Sequence, residues 1–390
     1  MPSSHLNPMR MLSVLMAFLL SACTTGTPSP DTAAVPDEDV VMERVESEEA
    51  TFRVVRLVDD LEHPWALAWL PDGRMLITER PGRLLLVDGE AIDEVSGLPS
   101  ISPGGQGGLM DVALHPNYES TGWIYVTYVA ETQAGRGTVV ARAKLDGTAL
   151  TGLEELYRQK PFVSGGRHFG ARIVFPGDGT ILFSIGDRGM RDPSQDLGSS
   201  IGTAIRLTLD GDIPDDNPFI GTDGALPEVY SYGHRNIQGM IVDPSTGNIW
   251  SHEHGPRGGD ELNLMRPAVN YGWPEITYGR EYATNREIGG FEQEGMEQPV
   301  TYWDPSIAPS GLALYDGDQF PGWRGNLFIG ALAHQKVQRV VLDGETVTHQ
   351  ESLLADDLGR VRDVRTGPDG YLYVLTDASD GALYRLEPVE

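Results

Sequence analysis

One hydrophobic pattern recurs along most of the chain: a short apolar run, a turn rich in Pro, Asp, Asn or Gly, and a second apolar run. Its six copies are ALAWLPDGRMLITE, DVALHPNYESTGWIYVTY, ARIVFPGDGTILFSIGD, MIVDPSTGNIWSHEHG, LALYDGDQFPGWRGNLFIGA and DVRTGPDGYLYVLTD. Apolar runs bounded by such turns predict β-hairpins. Most copies are followed by a third apolar run that ends in a turn, such as RLLLVDG or VVARAKLDG. We therefore expect each copy to form a small antiparallel sheet.

The repetition of these sheets predicts the fold. Repeats of several tens of residues built from β-meanders are typical of propellers, in which each sheet packs against its neighbours. Polar and apolar residues alternate only weakly within the runs, as expected for strands that are covered on both faces. The sequence predicts an all-β, six-bladed β-propeller with four-stranded antiparallel blades. The rival fold, a pair of β-sandwiches, gives no reason for six copies of one hairpin.

The two ends of the repeat region predict how the ring closes. The last repeat reaches Glu390 without a fourth strand, while the run FRVVRLV at residues 52–58 has no hairpin partner. Pairing these segments removes two exposed sheet edges. We therefore expect the N-terminal strand to complete the last blade, in a propeller domain that spans residues 51–390.

Residues 1–23 have the features of an export signal. Arg10 precedes a short apolar run at residues 11–20, and small residues then lead to Cys23, the only cysteine of the chain. The run is too short to span a bilayer as a helix, and it predicts a bacterial lipoprotein signal with Cys23 as the lipidated residue. A buried structural cysteine is the alternative. Residues 24–50 are poor in aromatics and rich in Thr, Ser, Pro, Asp and Glu, which predicts a disordered tether. Together these features predict a periplasmic protein anchored to the envelope.

Charge limits the possible partners. The formal net charge of −28 repels nucleic acid and anionic lipid, so we expect no nucleic-acid binding and membrane contact only through the N-terminal lipid. The glycine-rich segment 104–108 lacks the spacing and the following helix of a Rossmann motif, and the sequence contains no GxxxxGK[ST] motif. A nucleotide-dependent enzyme is therefore not predicted.

Three segments that directly precede repeats carry candidate chemistry. His168 lies in GGRHFGAR before the third repeat, where glycines leave room for a ligand and imidazole can accept a proton near neutral pH. Arg235 and Asn236 precede the fourth repeat, and Arg360 and Arg362 precede the sixth. Arginines two apart on an extended segment point the same way and suit a carboxylated ligand. The alternatives are a structural histidine and Arg–Asp surface pairs.

The segment HEHGP at residues 252–256 is a candidate metal site. Its two histidines and carboxylate could bind zinc, although no third histidine or cysteine cluster supports that. The same stretch continues to Asp260, Glu261 and Tyr271, and the Gly-Pro step leaves main-chain carbonyls free of strand pairing. Oxygen ligands of this kind favour calcium.

Taken in order, several motifs resemble the soluble aldose sugar dehydrogenases, relatives of soluble glucose dehydrogenase that use pyrroloquinoline quinone (PQQ). The motifs are LEHPWALAWLPDG, GGQGGLMDVALHP, HFGARIVF, YSYGHRNIQG, EHGPRGGDELN, NYGWP and RVRDVRTGPDGYLYVLTD, and the likeness runs from about Leu61 to Leu386. The resemblance implies the six-bladed fold and the oxidation of the C1 hydroxyl of an aldose to a lactone, with hydride transfer to calcium-bound PQQ. An electron acceptor is also implied, but it is not identified.

The resemblance also implies roles for individual residues. His168 matches the base that takes the proton of the C1 hydroxyl. Contacts to the cofactor or substrate are implied for Gln106, Arg235, Asn236, Arg360 and Arg362. The carbonyls of Gly255 and Pro256 match those that hold the catalytic calcium, and Glu261 and Tyr271 match a second, structural calcium site.

Two positions depart from the family pattern. Arg167 stands where the glucose dehydrogenase branch has an acidic residue before the histidine, and Ala333 stands where a cofactor lysine is expected, with Lys336 as a possible substitute. These changes leave sugar preference and cofactor affinity open. Two other functions fit a propeller: a calcium-dependent lactonase, and a non-catalytic, envelope-anchored sugar-binding module.

Overall fold

The computed structural model describes residues 39–389. The expected signal segment and Cys23 lie outside the described residues. Within residues 39–389 no helix is long and apolar enough to cross a membrane. The described strands form six antiparallel sheets, which confirms the six-bladed β-propeller expected from the sequence.

The strands follow the predicted hairpins. The chain begins with β1 (Val40–Glu46) and β2 (Thr51–Leu61), and blade 1 is β3 (Pro64–Trp69), β4 (Met75–Glu79), β5 (Arg83–Asp88) and β6 (Ala91–Glu94). Blade 2 is β7 (Leu109–Leu114), β8 (Trp123–Thr132), β9 (Gly135–Asp146) and β10 (Ala149–Arg158), with the short helix α1 (Tyr118–Thr121) between β7 and β8. Blade 3 is β11 (Ile173–Val174), β12 (Thr180–Ile185), β13 (Thr203–Thr208) and β14 (Val229–Tyr232), and blade 4 is β15 (Ile237–Val242), β16 (Ile249–Glu253), β17 (Asp260–Met265) and β18 (Thr301–Trp303). Blade 5 is β19 (Pro309–Leu314), β20 (Leu327–Ala331), β21 (Lys336–Asp343) and β22 (Thr346–Leu353), and blade 6 contains β23 (Val361–Thr366), β24 (Leu372–Thr376) and β25 (Gly381–Pro388). Short 3₁₀ turns occur at Asp192–Gln195 in blade 3 and Pro321–Trp323 in blade 5.

The first strands of the blades form the inner ring. Each of β3, β7, β11, β15, β19 and β23 contacts the first strand of the next blade, and β23 returns to β3. Their central faces carry a buried charge network. Arg172 lies 3.1 Å from Asp111 and 3.3 Å from Asp363, and Arg365 donates to Asp363 at 2.8 Å. These bonds tie blades 2, 3 and 6 together at the centre.

Ring closure occurs as predicted. Strand β2 pairs with β25, with Phe52 opposite Pro388 and Val54 opposite Leu386. The ring of Phe52 packs edge-to-face on Trp323 of blade 5 with centroids 5.6 Å apart, so the closing strand is also anchored by its side chains. The closing strand β2 therefore pairs with the outer edge of β25 in blade 6 and leads directly into β3 of blade 1.

The tether prediction is wrong for residues 40–46. They form β1, which pairs with β2 and adds a fifth strand to blade 6. Its apolar residues Met42 and Val45 pack on the cluster that contains Phe52. The acidic composition of residues 24–50 hid this short alternating strand. The ordered propeller chain therefore extends at least from Val40.

Candidate active site

A cavity of about 230 Å³ opens beside the loop that precedes blade 3. Loops of blades 3 and 4 form its walls. Residues that line it include Arg167, His168, Asp187, Arg191, Arg235, Pro256 and Trp273. The structure therefore brings the predicted base together with Arg235 and Pro256, which are distant in sequence.

His168 is held from one side by a carboxylate that sequence reasoning missed. Its Nδ1 lies 2.6 Å from Oδ1 of Asp187, and the other oxygen of Asp187 accepts the indole N–H of Trp273 at 2.8 Å. An ionised carboxylate is an acceptor only, so Nδ1 carries the proton in this pair. No hydrogen bond to Nε2 occurs within the described chain. This nitrogen is therefore the free acceptor of the ring.

The surroundings keep His168 neutral. Burial lowers the pKa of the imidazole below its ordinary value, and the positive charges of Arg235 and Arg167 act in the same direction. Burial acts to raise the pKa of Asp187, but the hydrogen bond from His168 and the charge of Arg235 lower it overall. At neutral pH the pair therefore consists of an ionised carboxylate and a neutral imidazole, as a general base requires.

Gln106 contacts the main chain of His168 and does not line the cavity. Its side-chain oxygen accepts the main-chain N–H of His168 at 2.7 Å, and its own N–H donates to the carbonyl of Gly166 at 2.8 Å. The two loops touch so closely that a Cβ at Gly105 would lie 2.2 Å from that carbonyl oxygen. The need for glycine at position 105 is thus explained by this backbone contact.

Arg235 and Asn236 lie on the loop that leads into blade 4. Arg235 donates to the carbonyl of His254 at 2.9 Å and packs over the ring of Trp273. Asn236 is buried, and its side-chain oxygen accepts the N–H of Gly170 at 3.2 Å. Arg235 therefore faces the cavity, whereas Asn236 fixes the backbone just beyond His168.

The arginines of blade 6 surround one carboxylate. Arg362 lies 3.1 Å and Arg360 3.5 Å from the same oxygen of Asp377, whose other oxygen is 2.9 Å from Nδ1 of His63. Arg80 lies 4.0 Å from Asp377. Burial opposes the shift, but Arg362, His63 and Arg80 hold the pKa of Asp377 well below its ordinary value. Three guanidinium groups around one carboxylate leave a net positive cluster that suits an anionic ligand.

Asp187 is one of a repeated set of carboxylates. In four blades an acidic residue ends the second strand or follows it within two residues; these residues are Glu79, Asp187, Glu253 and Asp377. Three of them bind Nδ1 of a histidine, in the pairs His168–Asp187, His234–Glu253 and His63–Asp377. The signal was visible in the sequence, because four of the six hairpin motifs contain the acid at this place. Only the structure shows that three of these carboxylates contact a histidine in the loop that precedes the first strand of a blade.

The predicted carbonyl ligands lie in a turn that a buried acid shapes. Asp260 accepts the N–H of Gly255 at 2.9 Å and that of Ala308 at 2.8 Å, and burial raises its pKa to about 6. A Cβ at Gly255 would lie 2.2 Å from the carbonyl oxygen of Gly259, so only glycine fits. The carbonyls of Gly255 and Pro256 accept no hydrogen bond within residues 39–389. They are available to a cation.

A small space of about 10 Å³ lies next to this turn and is lined by Gly255, Glu253 and Glu261 among others. Glu253 and Glu261 are directly opposite on β16 and β17. Burial raises the pKa of Glu261 well above its ordinary value, and the charge of Glu253 adds to the effect. Like charges in a cross-strand pair are unfavourable unless a proton or cation separates them. The donor set therefore fits a bound cation.

The side chain of Tyr271 is not part of that space. Its hydroxyl donates to the carbonyl of Leu264 at 2.7 Å, and its ring stacks on His234. Any metal contact by Tyr271 would fall to its main-chain carbonyl. The geometry does not support the zinc alternative, since His252 and His254 each bond to a carbonyl of blade 5 through Nε2. No group of three or more His, Cys, Asp or Glu side chains in the described chain is arranged for a metal.

The structure also resolves the question of the missing lysine. Ala333 lines an open groove of about 460 Å³ that shares Pro256 and Tyr282 with the His168 cavity. Lys336 points away from the groove, and its ammonium donates to Ser352 on the outer strand β22 at 2.8 Å. Lys336 therefore does not replace a lysine at position 333.

The profile of the Glucose / Sorbosone dehydrogenase family matches residues 61–385. The chain belongs to this family. Aldose sugar dehydrogenase YliI of Escherichia coli is 46% identical over 347 residues, which cover 87% of this chain and 94% of that protein. Among solved structures, the apo form of the soluble E. coli aldose sugar dehydrogenase has a TM-score of 0.85 at 44% identity, covering 87% of this chain and 100% of the other.

A second similar structure is the PQQ-bound form of the aldose sugar dehydrogenase of Streptomyces coelicolor. It has a TM-score of 0.71 at 28% identity and covers 87% of this chain and 99% of the other. The resemblance inferred from the motifs is thereby confirmed at the level of the family. Relatives named as aldose sugar dehydrogenases support an oxidoreductase that acts on sugars.

Proposed function

We propose that this chain oxidises the C1 hydroxyl of aldose sugars to lactones, with His168 as the base and calcium-bound PQQ as the immediate electron acceptor. The observation that carries the proposal is the buried His168–Asp187 pair. Its Nδ1 is occupied by the carboxylate, while its free Nε2 belongs to a residue that lines the cavity. A neutral imidazole in this state can take the hydroxyl proton as hydride leaves C1.

The protein's part in the reaction is to move one proton and to orient the sugar. Asp187 fixes the imidazole tautomer and stabilises the imidazolium that forms when Nε2 takes the proton. Trp273 holds the second oxygen of Asp187, so the carboxylate cannot rotate away from the ring. The mouth of the cavity is bounded by the bidentate pair of Arg191 and Glu281, at 2.6 and 2.9 Å. This pair joins a loop of blade 3 to a loop of blade 4.

The arginines present fit PQQ, which carries three carboxylates. Arg235, Arg360 and Arg362 would hold these groups, because guanidinium ions bind carboxylates through paired hydrogen bonds. An acidic protein has few cationic side chains, so the grouping of Arg360 and Arg362 with Arg80 around Asp377 supports this assignment. When bound, PQQ supplies the quinone that accepts the hydride. Gln106 and Asn236 would act through the backbone on either side of His168.

The turn at Gly255 and Pro256 fits calcium. Its two carbonyls are unpaired in the described chain and are the hard oxygen ligands that calcium prefers. Glu261 would supply a carboxylate to a second cation in the adjoining small space. The carbonyl of Tyr271, which the resemblance implies as a further ligand, does not line that space. A cation there would offset the repulsion between Glu253 and Glu261.

Export is a further part of the proposal. The only cysteine of the chain follows a short apolar run, which supports a lipid anchor at Cys23 and a periplasmic location. Labelling of expressing cells with a palmitate analogue should mark the wild-type chain and not Cys23→Ser. Equal labelling of both would contradict the anchor.

A dye-linked assay tests the catalytic proposal. Purified chain is mixed with PQQ and calcium, then given a panel of aldoses and an artificial electron-accepting dye. Dye reduction should require the sugar and the cofactor, and His168→Ala should lower turnover at least 100-fold while PQQ still binds. His349→Ala, at an exposed position on β22, is the matched control. Hydrolysis of lactones without dye reduction would instead support a lactonase, and sugar binding without turnover a binding module.

A further inference from the structure

We propose that Arg188 is a positioning residue for the base, which braces the main chain on both sides of His168 so that the imidazole keeps its place in the cavity. The inference rests on the proposed function, because it concerns the same base. Arg188 directly follows Asp187 in the loop after β12 and is 3% exposed.

The contacts of Arg188 are confined to the loop that carries the base. Its guanidinium donates to the carbonyls of Arg167 and of Gly165, the latter at 2.9 Å. The guanidinium carbon lies 3.4 Å from the ring centre of Phe169, and the main-chain N–H of Arg188 donates to the carbonyl of His168 at 3.3 Å. One side chain thus fixes the residues before and after the imidazole.

A second arginine braces the neighbouring loop from the same ring. Arg136 lies 5.5 Å from the ring centre of Phe169 and donates to the carbonyls of Ser102 and of Gly104, the latter at 3.1 Å. That loop continues to Gln106, whose side-chain oxygen accepts the main-chain N–H of His168. Arg188 therefore holds the loop that carries His168, and Arg136 holds the loop that carries its hydrogen-bond partner Gln106.

Stability does not explain this arrangement. Neither Arg136 nor Arg188 forms an ion pair with a carboxylate in residues 39–389, and each has an Nε without a partner. Burial lowers the pKa of Arg188 to about 10, and the nearby charge of Arg136 adds to the shift. Buried, incompletely paired guanidinium groups destabilise a fold. Arg188 also has a φ of 55°, which is unfavourable for a residue with a Cβ. Such local costs are typical of functional positions.

The expected effect follows from the precision that proton transfer needs. A displacement of the reacting group by about 1 Å can cost about 100-fold in rate. A lysine at position 188 keeps the charge but cannot donate to two carbonyls from one flat group that stacks on Phe169. The proposal therefore predicts graded losses, with Arg188→Met more severe than Arg188→Lys.

The test uses the full chain loaded with PQQ and calcium. Arg188→Met should lower kcat about 100-fold and Arg188→Lys about 10-fold, while KM for the sugar and the dissociation constant of PQQ change less than about threefold. The isotope effect with a C1-deuterated sugar should rise, because hydride transfer becomes more rate-limiting. Arg142→Lys is the matched control, since Arg142 on β9 stacks on Trp123 of blade 2 and donates to the carbonyl of Leu209 in blade 3, and it does not line the cavity. It should change none of these values.

A kcat within threefold of wild type in Arg188→Met would overturn the proposal. So would a loss of PQQ affinity that matches the loss of kcat, because that result indicates a general defect of the site. If the Arg188 variants do not fold, Phe169→Leu removes the ring beneath a retained guanidinium and should lower kcat about 10-fold; an unchanged kcat overturns the proposal equally. A wild-type chain without sugar-dependent dye reduction would instead refute the proposed function itself.

Discussion

Replacing Asp187 by Asn is the sharpest test of how the base works. The carboxylate accepts three N–H groups: Nδ1 of His168 at 2.6 Å, the main chain of Gly189 at 2.6 Å, and the indole of Trp273 at 2.8 Å. An amide of the same shape offers one oxygen and one NH₂ group. One of its two sides must therefore present a donor to another donor.

Both orientations of the amide damage the site. If the NH₂ group faces Trp273, a buried indole N–H loses its acceptor, which costs about 1–3 kcal/mol. If it faces His168, the ring must accept at Nδ1, and Nε2 then carries the proton and cannot act as a base. In either case the imidazolium loses a charged partner, which is typically worth about 1.5–3 kcal/mol. At about 1.36 kcal/mol per tenfold in rate, this alone lowers kcat about 10- to 150-fold.

Steady-state dye reduction at saturating PQQ and calcium measures the effect. We expect kcat of Asp187→Asn to fall about 100-fold, with KM for the sugar and PQQ affinity within about threefold of wild type. Asp178→Asn is the control, because Asp178 pairs with Arg206 in a turn of blade 3 that does not line the cavity. If Asp187→Asn keeps more than about a third of the wild-type kcat, the carboxylate does not set the state of His168 and the reasoning fails.

Three further outcomes follow. Because burial lowers the pKa of His168, the neutral base persists into mild acid, and kcat should fall on acidification with a midpoint below 6.5; a higher midpoint contradicts this. Ala333→Lys places an ammonium in the open groove lined by Ala333 and should tighten PQQ binding about tenfold in a fluorescence titration. Lys336→Ala should leave the affinity for PQQ unchanged, since the Lys336 ammonium binds Ser352. Phe52→Ala should lower the free energy of unfolding in urea by about 3–5 kcal/mol; a loss below about 1 kcal/mol, as at a surface position, would show that the closing strand is not anchored there.

Much of the fold could be predicted because the signal for each blade is local. Hairpins with tight turns place their apolar runs next to one another in sequence, so the pattern identifies the blade without knowledge of the ring. Strand β1 is also local, because it forms a hairpin with β2 through residues 47–50, but it lies in an acidic segment that lacks the long apolar runs of the other hairpins. Glu48 in that turn pairs with Arg339 of blade 5. Composition averaged over residues 24–50 therefore concealed β1.

The sequence could predict which side chains belong to the candidate site, but not which carboxylate each histidine contacts. Sequence alone indicated His168 and the arginines, yet the carboxylate partners join residues 19 positions apart in two pairs and 314 apart in the third. Such contacts depend on where the loops of each blade meet. The positions of these loops also distinguish His168 from the two other histidines that pair with a carboxylate, His63 and His234.

The three histidine–carboxylate pairs show why position in the motif does not identify the base. In His234 the second nitrogen is also occupied, by the hydroxyl of Ser231 at 2.9 Å, and the ring is fully buried, so no ring nitrogen is free to accept a proton from a substrate. The side chain of His63 is 33% exposed and sits among arginines around Asp377. Only His168 combines burial, a free Nε2 and a place in the wall of a cavity. The same kind of pair that elsewhere fastens a loop to its blade suits His168 to the proposed proton transfer, because the free Nε2 belongs to a residue that lines a cavity.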